Sequence, residues 1–308
     1  MRRARLKLPA LAVLCTALLA SAPHAHGQPV LDDGMSAAQA RARLGLLGLA
    51  RQIVLPRGEG LRDVRLDLIV PAGPPPAVGW PVLYLLDGNA TLQALADAGE
   101  RPAAVLVGIG YDIDARLDVQ ARAWDYTPRP PGSDGQGAPD PRQPGRRNGG
   151  ADAWLDLIQQ RVKPLVQAAA PVDTARQTLY GHSYGGLFVL HALRTQPQAF
   201  QRYVAASPSL WWHAPHMAER LRELDTAHCC TTAPRQLYLW VGGSERSRPE
   251  RAAPHRVAPA GSASARALAS ELDGKPGLTV HYRSFPGLGH GAMLPASARE
   301  AARIAGRP

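Results

Sequence analysis

Two unbroken apolar runs, Pro81-Val82-Leu83-Tyr84-Leu85-Leu86 and Ala103-Ala104-Val105-Leu106-Val107-Gly108-Ile109, mark the first half of the chain. A strand buried on both faces shows no alternation, so both runs predict central parallel strands. Residues 91–99 between them predict the connecting helix. Upstream, residues 51–55 and 61–70 predict two strands joined by the turn Pro56-Arg57-Gly58-Glu59-Gly60, a hairpin. In the second of these Val64, Leu66, Leu68 and Val70 alternate with Arg65, Asp67 and Ile69, the half-buried pattern of an edge region. Residues 36–50 predict a short helix or an adapting arm. Further strands are expected at 177–180, 203–206, 237–241 and 278–285, and helices at 154–170, 187–194, 216–224 and 263–272. Strands alternating with helices imply an α/β fold, a mostly parallel central sheet with helices on both faces. Residues 127–150, rich in Pro, Gly and Arg, break the pattern; a loop that long is functional or disordered. With no internal repeat and no second apolar core, residues 28–308 are read as one domain.

Residues 1–27 are read separately. Arg2, Arg3, Arg5 and Lys7 form a basic start, residues 8–20 are apolar, and Ala25-His26-Gly27 offers a small-x-small cleavage site. This is the pattern of a secretory signal peptide, so a periplasmic or secreted protein is expected, with no stable membrane insertion after cleavage. A short N-terminal anchor is the alternative. Cleavage changes two other counts. The formal charge of +10 falls to +6, because the leader carries four basic residues and no acid (10 − 4 = 6). Cys15 leaves as well, so only the adjacent Cys229 and Cys230 remain, which is neither a disulfide framework nor a metal site. The basic residues form no stripe interleaved with aromatics, so nucleic acid is not indicated.

The chemistry centres on Gly181-His182-Ser183-Tyr184-Gly185. Gly-x-Ser-x-Gly between a β-like run and a helix-like run is the setting of a nucleophile elbow. The two glycines are expected to exclude a Cβ that would strike the strand or the helix. A serine hydroxyl needs a base, and the base works best when a carboxylate holds its tautomer. In α/β-hydrolases the order is serine, acid, histidine. His290, in a glycine-rich loop after the last expected strand, is the base candidate. Glu245, after the penultimate strand, is the acid candidate, with Asp225, Glu250 and Asp273 as alternatives and a surface ion pair with Arg246, Arg248 or Arg251 as the competing role for Glu245. Two N–H donors must meet the oxyanion. One is expected from Tyr184, the other from Gly88 or Asn89 in the turn after the strand at 81–86. No metal or organic cofactor is needed for this chemistry.

Several segments carry a resemblance. Leu85-Leu86-Asp87-Gly88-Asn89, Val107-Gly108-Ile109-Gly110-Tyr111, Arg122-Ala123-Trp124-Asp125-Tyr126-Thr127-Pro128, Gly149-Gly150-Ala151-Asp152, the elbow with Gly186, and Ser207-Pro208-Ser209-Leu210-Trp211-Trp212 come in that order. The order resembles the "putative esterase" family of α/β-hydrolases, most closely its ferric-siderophore esterases, which cleave enterobactin and related catecholate trilactones. The helix from Trp154 departs from the family pattern at Gln160-Arg161-Val162. The resemblance implies an α/β-hydrolase fold and a substrate-facing Arg122, whose guanidinium could pair with catecholate oxygens; an ion pair with Asp125 or Asp118 is the competing role. Trp211 and Trp212 are expected to line the pocket or to join the core. The loop at 127–150 is expected to rim the site. The function expected is an exported serine esterase acting on a catecholate siderophore trilactone, ferric or iron-free, through an acyl-enzyme. The alternatives are a general carboxylesterase of feruloyl, acetyl or small acyl esters, and a siderophore-binding protein without turnover.

Overall fold

The computed structural model describes residues 35–99, 101–130, 132–140, 143, 145–213, 216–230, 233–245 and 261–307. The leader expected at 1–27, with Glu250 and the arginines Arg246, Arg248 and Arg251, lies outside the described residues. The elements begin with α1 (Ala37–Gly45), β1 (Gly48–Leu55), β2 (Val64–Pro71), β3 (Trp80–Leu86), α2 (Gly88–Ala98), β4 (Val105–Tyr111) and α3 (Ala121–Asp125). A two-residue ladder of β5 (Ala138–Pro139) and β6 (Arg147–Asn148) follows. Next come α4 (Ala151–Leu157), a π-helical turn (Ile158–Val162) and α5 (Lys163–Ala169). The second half runs β7 (Val172–His182), α6 (Tyr184–Thr195), β8 (Arg202–Ala206), α7 (His216–Arg222), α8 (Ala227–Cys230), β9 (Arg235–Gly242), α9 (Gly261–Leu272), β10 (Leu278–Phe285) and α10 (His290–Ala305).

Eight strands make one sheet in the order β1-β2-β4-β3-β7-β8-β9-β10. Only the pairings of β2, with β1 and with β4, are antiparallel; the other five are parallel. Side chains of β3 alternate between two cores. Val82, Tyr84 and Leu86 belong to the core that takes in residues of α6, α7 and α9, while Leu83 and Leu85 belong to the one that takes in residues of α1, α2 and α10. Burial on both faces is why β3 and β4 read as unbroken apolar runs. The parallel strands end together, since Leu85 is level with Tyr180, His182 with Ala206 and Gly242 with Phe285. The carboxyl edge of such a sheet is where open α/β folds place ligands.

Four local expectations are corrected. β2 is not an edge: β1 covers its outer side, and Arg65 and Asp67 are buried. They are tolerated because each is paired. Arg65 Nε lies 3.3 Å from Asp67, and Arg41 Nη1 of α1 donates to Asp67 Oδ1 at 2.8 Å. α1 stops at Gly45, short of residue 50, and is opened by a capping box in which Ser36 and Gln39 bond each other's backbone N–H. The helix expected at 154–170 carries a π turn over Ile158–Val162, where the family pattern is broken. No helix is expected after β10, yet α10 fills the second core with Met293, Ala298, Ala301 and Ile304. An alanine-rich stripe is a faint apolar signal beside Val, Ile or Leu.

The stretch 127–150 is pinned at its ends. Gly149 N–H donates to Thr127 Oγ1 at 3.1 Å and Ala151 N–H to the Thr127 carbonyl at 3.1 Å. Cys230 is buried and disulfide-bonded.

Candidate active site

Strand β7 delivers Ser183 at a turn that α6 continues. Ser183 sits at φ 60°, ψ −116°, a backbone state that costs a non-glycine residue about 1–3 kcal/mol. Its surroundings hold it there. Ser183 N–H donates to the Ala206 carbonyl at 3.0 Å, and the Ser183 carbonyl accepts from Leu187 N–H at 3.0 Å and Ser209 N–H at 3.1 Å. The glycine requirement differs from expectation. A Cβ on Gly181 would run into the Gly185 carbonyl, but a Cβ on Gly185 would meet nothing nearer than Leu86 at 3.6 Å. The second sterically constrained position is Gly186, where a Cβ would lie 2.9 Å from the Ala206 oxygen and 3.0 Å from Pro208 Cα.

His290, the first residue of α10, brings Nε2 to 3.1 Å from Ser183 Oγ. Its Nδ1 lies 3.4 Å from Glu245 Oε2. Facing a carboxylate, Nδ1 carries the proton, which leaves Nε2 to accept from the serine. The other Glu245 oxygen accepts from Gly242 N–H at 2.8 Å and from the Ser207 hydroxyl. Burial pushes the Glu245 carboxyl up, but hydrogen bonds from His290, Ser207 and Gly242 outweigh it and leave it below its ordinary value. Of the alternative acids, Asp225 bonds Ala227 N–H at the start of α8. His290 is half exposed, so the group opens to solvent.

No sequence pattern singles out His182, one residue before the nucleophile. It is buried, its ring lies 4.7 Å from that of His290, and its Nε2 is 2.9 Å from the His290 carbonyl. A carbonyl only accepts, so Nε2 carries the hydrogen. Burial, with His290 and Arg122 adding to it, holds the His182 pKa well below 6.5 and keeps the ring neutral. Ser207 and Ser209 stand in the sequence only as part of a motif; the loop after β8 puts Ser207 against Glu245 and Ser209 Oγ 3.3 Å from Ser183 Oγ. No spacing rule links them to the elbow, because their proximity comes from the pairing of β7 with β8.

Tyr184 opens α6, and Gly88 and Asn89 open α2. First-turn N–H groups have no acceptor within their own helix, and the adjacency of β3 and β7 makes these two helix starts neighbours. The Asn89 side chain is already committed. Its Nδ2 donates to the carbonyls of Ile113 and Ala115 at 3.1 and 3.0 Å, and its Oδ1 accepts from Tyr111 N–H at 3.3 Å. Only its backbone can meet an oxyanion.

Arg122 is largely buried and paired. Its Nε and Nη2 grip both Asp87 oxygens at 2.9 and 2.8 Å, and Nη2 also lies 3.3 Å from the His182 carbonyl. Burial opposes its charge and Asp87 outweighs that, so the pKa rises and the guanidinium stays charged. The competing partners are engaged elsewhere: Asp125 with Arg57 and the Tyr111 hydroxyl, Asp118 with Arg62. The ion pair that Arg122 makes is thus with Asp87, beneath the elbow, and not with Asp125 or Asp118. Trp212 is also corrected: fully buried, it belongs to the core and cannot line a pocket. Trp211 is partly exposed and packs on the Tyr184 ring at 5.6 Å. The Tyr184 hydroxyl donates to Asp140 at 3.3 Å, which brings the 127–150 stretch against the elbow. A cleft of about 800 Å³ lined by Arg57, Arg62, Asp118, Trp124 and Arg147 contains none of Ser183, His290 and Glu245. Among the described residues, no three His, Cys, Asp or Glu side chains are grouped as metal ligands, and no helix is long and apolar enough to cross a membrane.

Comparison with known proteins matches residues 61–292 to the family described as "Putative esterase". The ferri-bacillibactin esterase of Bacillus subtilis is 34% identical over 259 residues, 80% of this chain and 86% of that protein. The apo-salmochelin esterase of Escherichia coli is 31% identical over 79% of this chain and 74% of its own. Among solved structures, the BES protein of Bacillus cereus superposes with a TM-score of 0.69 at 27% identity, covering 84% of this chain and 96% of that one. The enterobactin and salmochelin hydrolase IroE gives a TM-score of 0.65 at 28% identity, over 85% and 97%.

Proposed function

The chain belongs to the "Putative esterase" family and is a carboxylic ester hydrolase of the α/β-hydrolase fold; on that premise we propose that it is an exported esterase that opens a siderophore at its ester bonds through an acyl-enzyme on Ser183. The observation that carries the mechanism is the 3.1 Å approach of His290 Nε2 to Ser183 Oγ, with Glu245 behind Nδ1. His290 takes the serine proton as Oγ adds to the ester carbonyl. Glu245 stabilises the imidazolium that forms. The N–H of Tyr184, with that of Gly88 or Asn89, meets the oxyanion. His290 then returns the proton to the leaving alkoxide, and water repeats the sequence to free Ser183. The work assigned to the protein is proton transfer and charge stabilisation, all from its own side chains and backbone.

The substrate class rests on the relatives, whose names specify bacillibactin, salmochelin and enterobactin. The partly exposed Trp211 beside Tyr184 offers an aromatic surface next to the nucleophile, which suits an aryl-bearing acyl group. Export rests on the basic and apolar start of the chain.

Mass spectrometry of products from ferric and iron-free trilactones, run beside p-nitrophenyl acetate hydrolysis, tests the reading. We expect linearised trilactone and a kcat/KM at least about a hundredfold above that for the short ester, the few kcal/mol that remote binding contributes to a transition state. Ser183→Ala should lower both by at least about 10⁴-fold. A short ester cleaved faster than every trilactone would make this a general carboxylesterase.

A further inference from the structure

Ser209 is 1% exposed, and its hydroxyl has one hydrogen-bond partner among the described residues, Ser183 Oγ at 3.3 Å. The direction of that bond follows from counting protons. Glu245 faces His290 Nδ1, so Nδ1 carries hydrogen and Nε2 is an acceptor. Ser183 must give its one hydrogen to Nε2. It then has none for Ser209, so the Ser209 hydroxyl is the donor and Ser183 Oγ accepts through a second lone pair.

We propose that Ser209 is a catalytic residue of this site: its O–H donates to Ser183 Oγ and stabilises the negative charge that collects there as the bond to the acyl carbon forms and later breaks. The inference deepens the reading of Ser183 as nucleophile and rests on it. In acylation the Ser183 proton moves to His290 Nε2, an Oγ lone pair bonds the carbonyl carbon, and the carbonyl π pair moves onto oxygen. In deacylation the C–Oγ bond breaks, its electron pair returns to Oγ, and His290 returns the proton. Ser209 keeps its own hydrogen throughout. Its bond is to a neutral oxygen in the resting enzyme and to a partly anionic one in both transition states. A donor that strengthens only there raises kcat with little effect on substrate binding. Two features suit Ser209 to the task. Its buried position excludes competing water, and its backbone N–H grips the Ser183 carbonyl at 3.1 Å, so its distance from the strained nucleophile is set by the same loop.

The test uses the full chain with p-nitrophenyl acetate, a substrate that needs no siderophore pocket, and an organofluorophosphate that phosphorylates the nucleophilic serine. Ser209→Ala keeps the backbone bond and removes only the hydroxyl. Its kcat is expected to fall about tenfold with KM within about twofold, its inactivation rate to fall in parallel, and its Tm to match wild type. Ser209→Cys, a weaker donor of similar shape, should fall between Ser and Ala. Wild-type kcat in Ser209→Ala overturns the proposal, as does a raised KM and lowered Tm with kcat unchanged, or a Cys variant no better than Ala. Ser183→Ala is measured alongside. If it still hydrolyses the ester, the nucleophile assignment is what fails; if it is inert while Ser209→Ala is fully active, only the role of Ser209 fails.

Discussion

His182 is a poor base, because burial disfavours its protonated form and its one N–H is committed to the His290 carbonyl. What it can do is fix the start of α10, where Gly289 and Gly291 have open space around them. A positioning role predicts a loss in kcat rather than KM. His182→Phe keeps the ring volume and deletes the donor, and should lower kcat about fivefold to tenfold on a p-nitrophenyl ester, the worth of one hydrogen bond. His182→Gln, whose amide can donate to the same carbonyl, should recover most of it. Equal losses in both variants would mean that the ring packing matters and the hydrogen bond does not. Ser183 and His290 were legible in the sequence because a motif and a chain order point at them. His182, Ser207 and Ser209 were not, since each acts through a neighbour that is distant along the chain. Arg122 lies in a recognisable motif, but its ion-pair partner, Asp87, is 35 residues away, where no local pattern points.

The elbow separates two glycines that the motif treats alike. Gly181 of β7 lies against the Gly185 carbonyl, whereas Gly185 of α6 has ordinary contact distances around it. Gly181→Ala must displace backbone, an overpacking cost of about 1–3 kcal/mol or more, and should lower Tm by about 5 °C or more. Gly185→Ala gains helix propensity and should leave Tm within about 2 °C of wild type. Thermal melting of the two variants checks this, and equal destabilisation would contradict it. The parallel strands were legible because burial on two faces writes itself as continuous apolar sequence. The interior place of β2 is hidden because Asp67 is paired by Arg41 of α1, and Arg65 by Asp67 and the Ile113 carbonyl, which a pattern of alternation does not show. α10 leaves little mark in the sequence because alanine packs closely without looking strongly apolar.

For the molecule as a whole, the buried neutral His182 ties stability to pH. Its folded pKa lies well below the ordinary 6.5. Below pH about 6.5 the unfolded chain binds a proton at this histidine that the folded chain refuses. Stability therefore falls as pH falls from there toward the folded pKa, at about 1.4 kcal/mol per pH unit for one proton. His213 and His281, also lowered by burial, act in the same direction. Glu245, held below its ordinary 4.5, extends the loss at lower pH. Tm measured from pH 8 to pH 5 should be flat above about 7 and decline below it, and His182→Gln should flatten the decline. A wild-type Tm that does not change over this range would show that His182 titrates normally.

Hydrophobic patterning was enough to specify an α/β architecture, and the motif with its ordered partners was enough to nominate Ser183, Glu245 and His290. Both are local facts about the chain, because solvent exclusion and a sharp turn each leave a mark within a few residues. What surrounds the nucleophile depended on the order of strands in the sheet. The pairing of β7 with β8 brings Ser209 to Ser183, and the carboxyl ends of β8 and β9 bring Ser207 to Glu245. Those contacts are made across 26 to 38 residues of chain, and only folding of the sheet closes that distance.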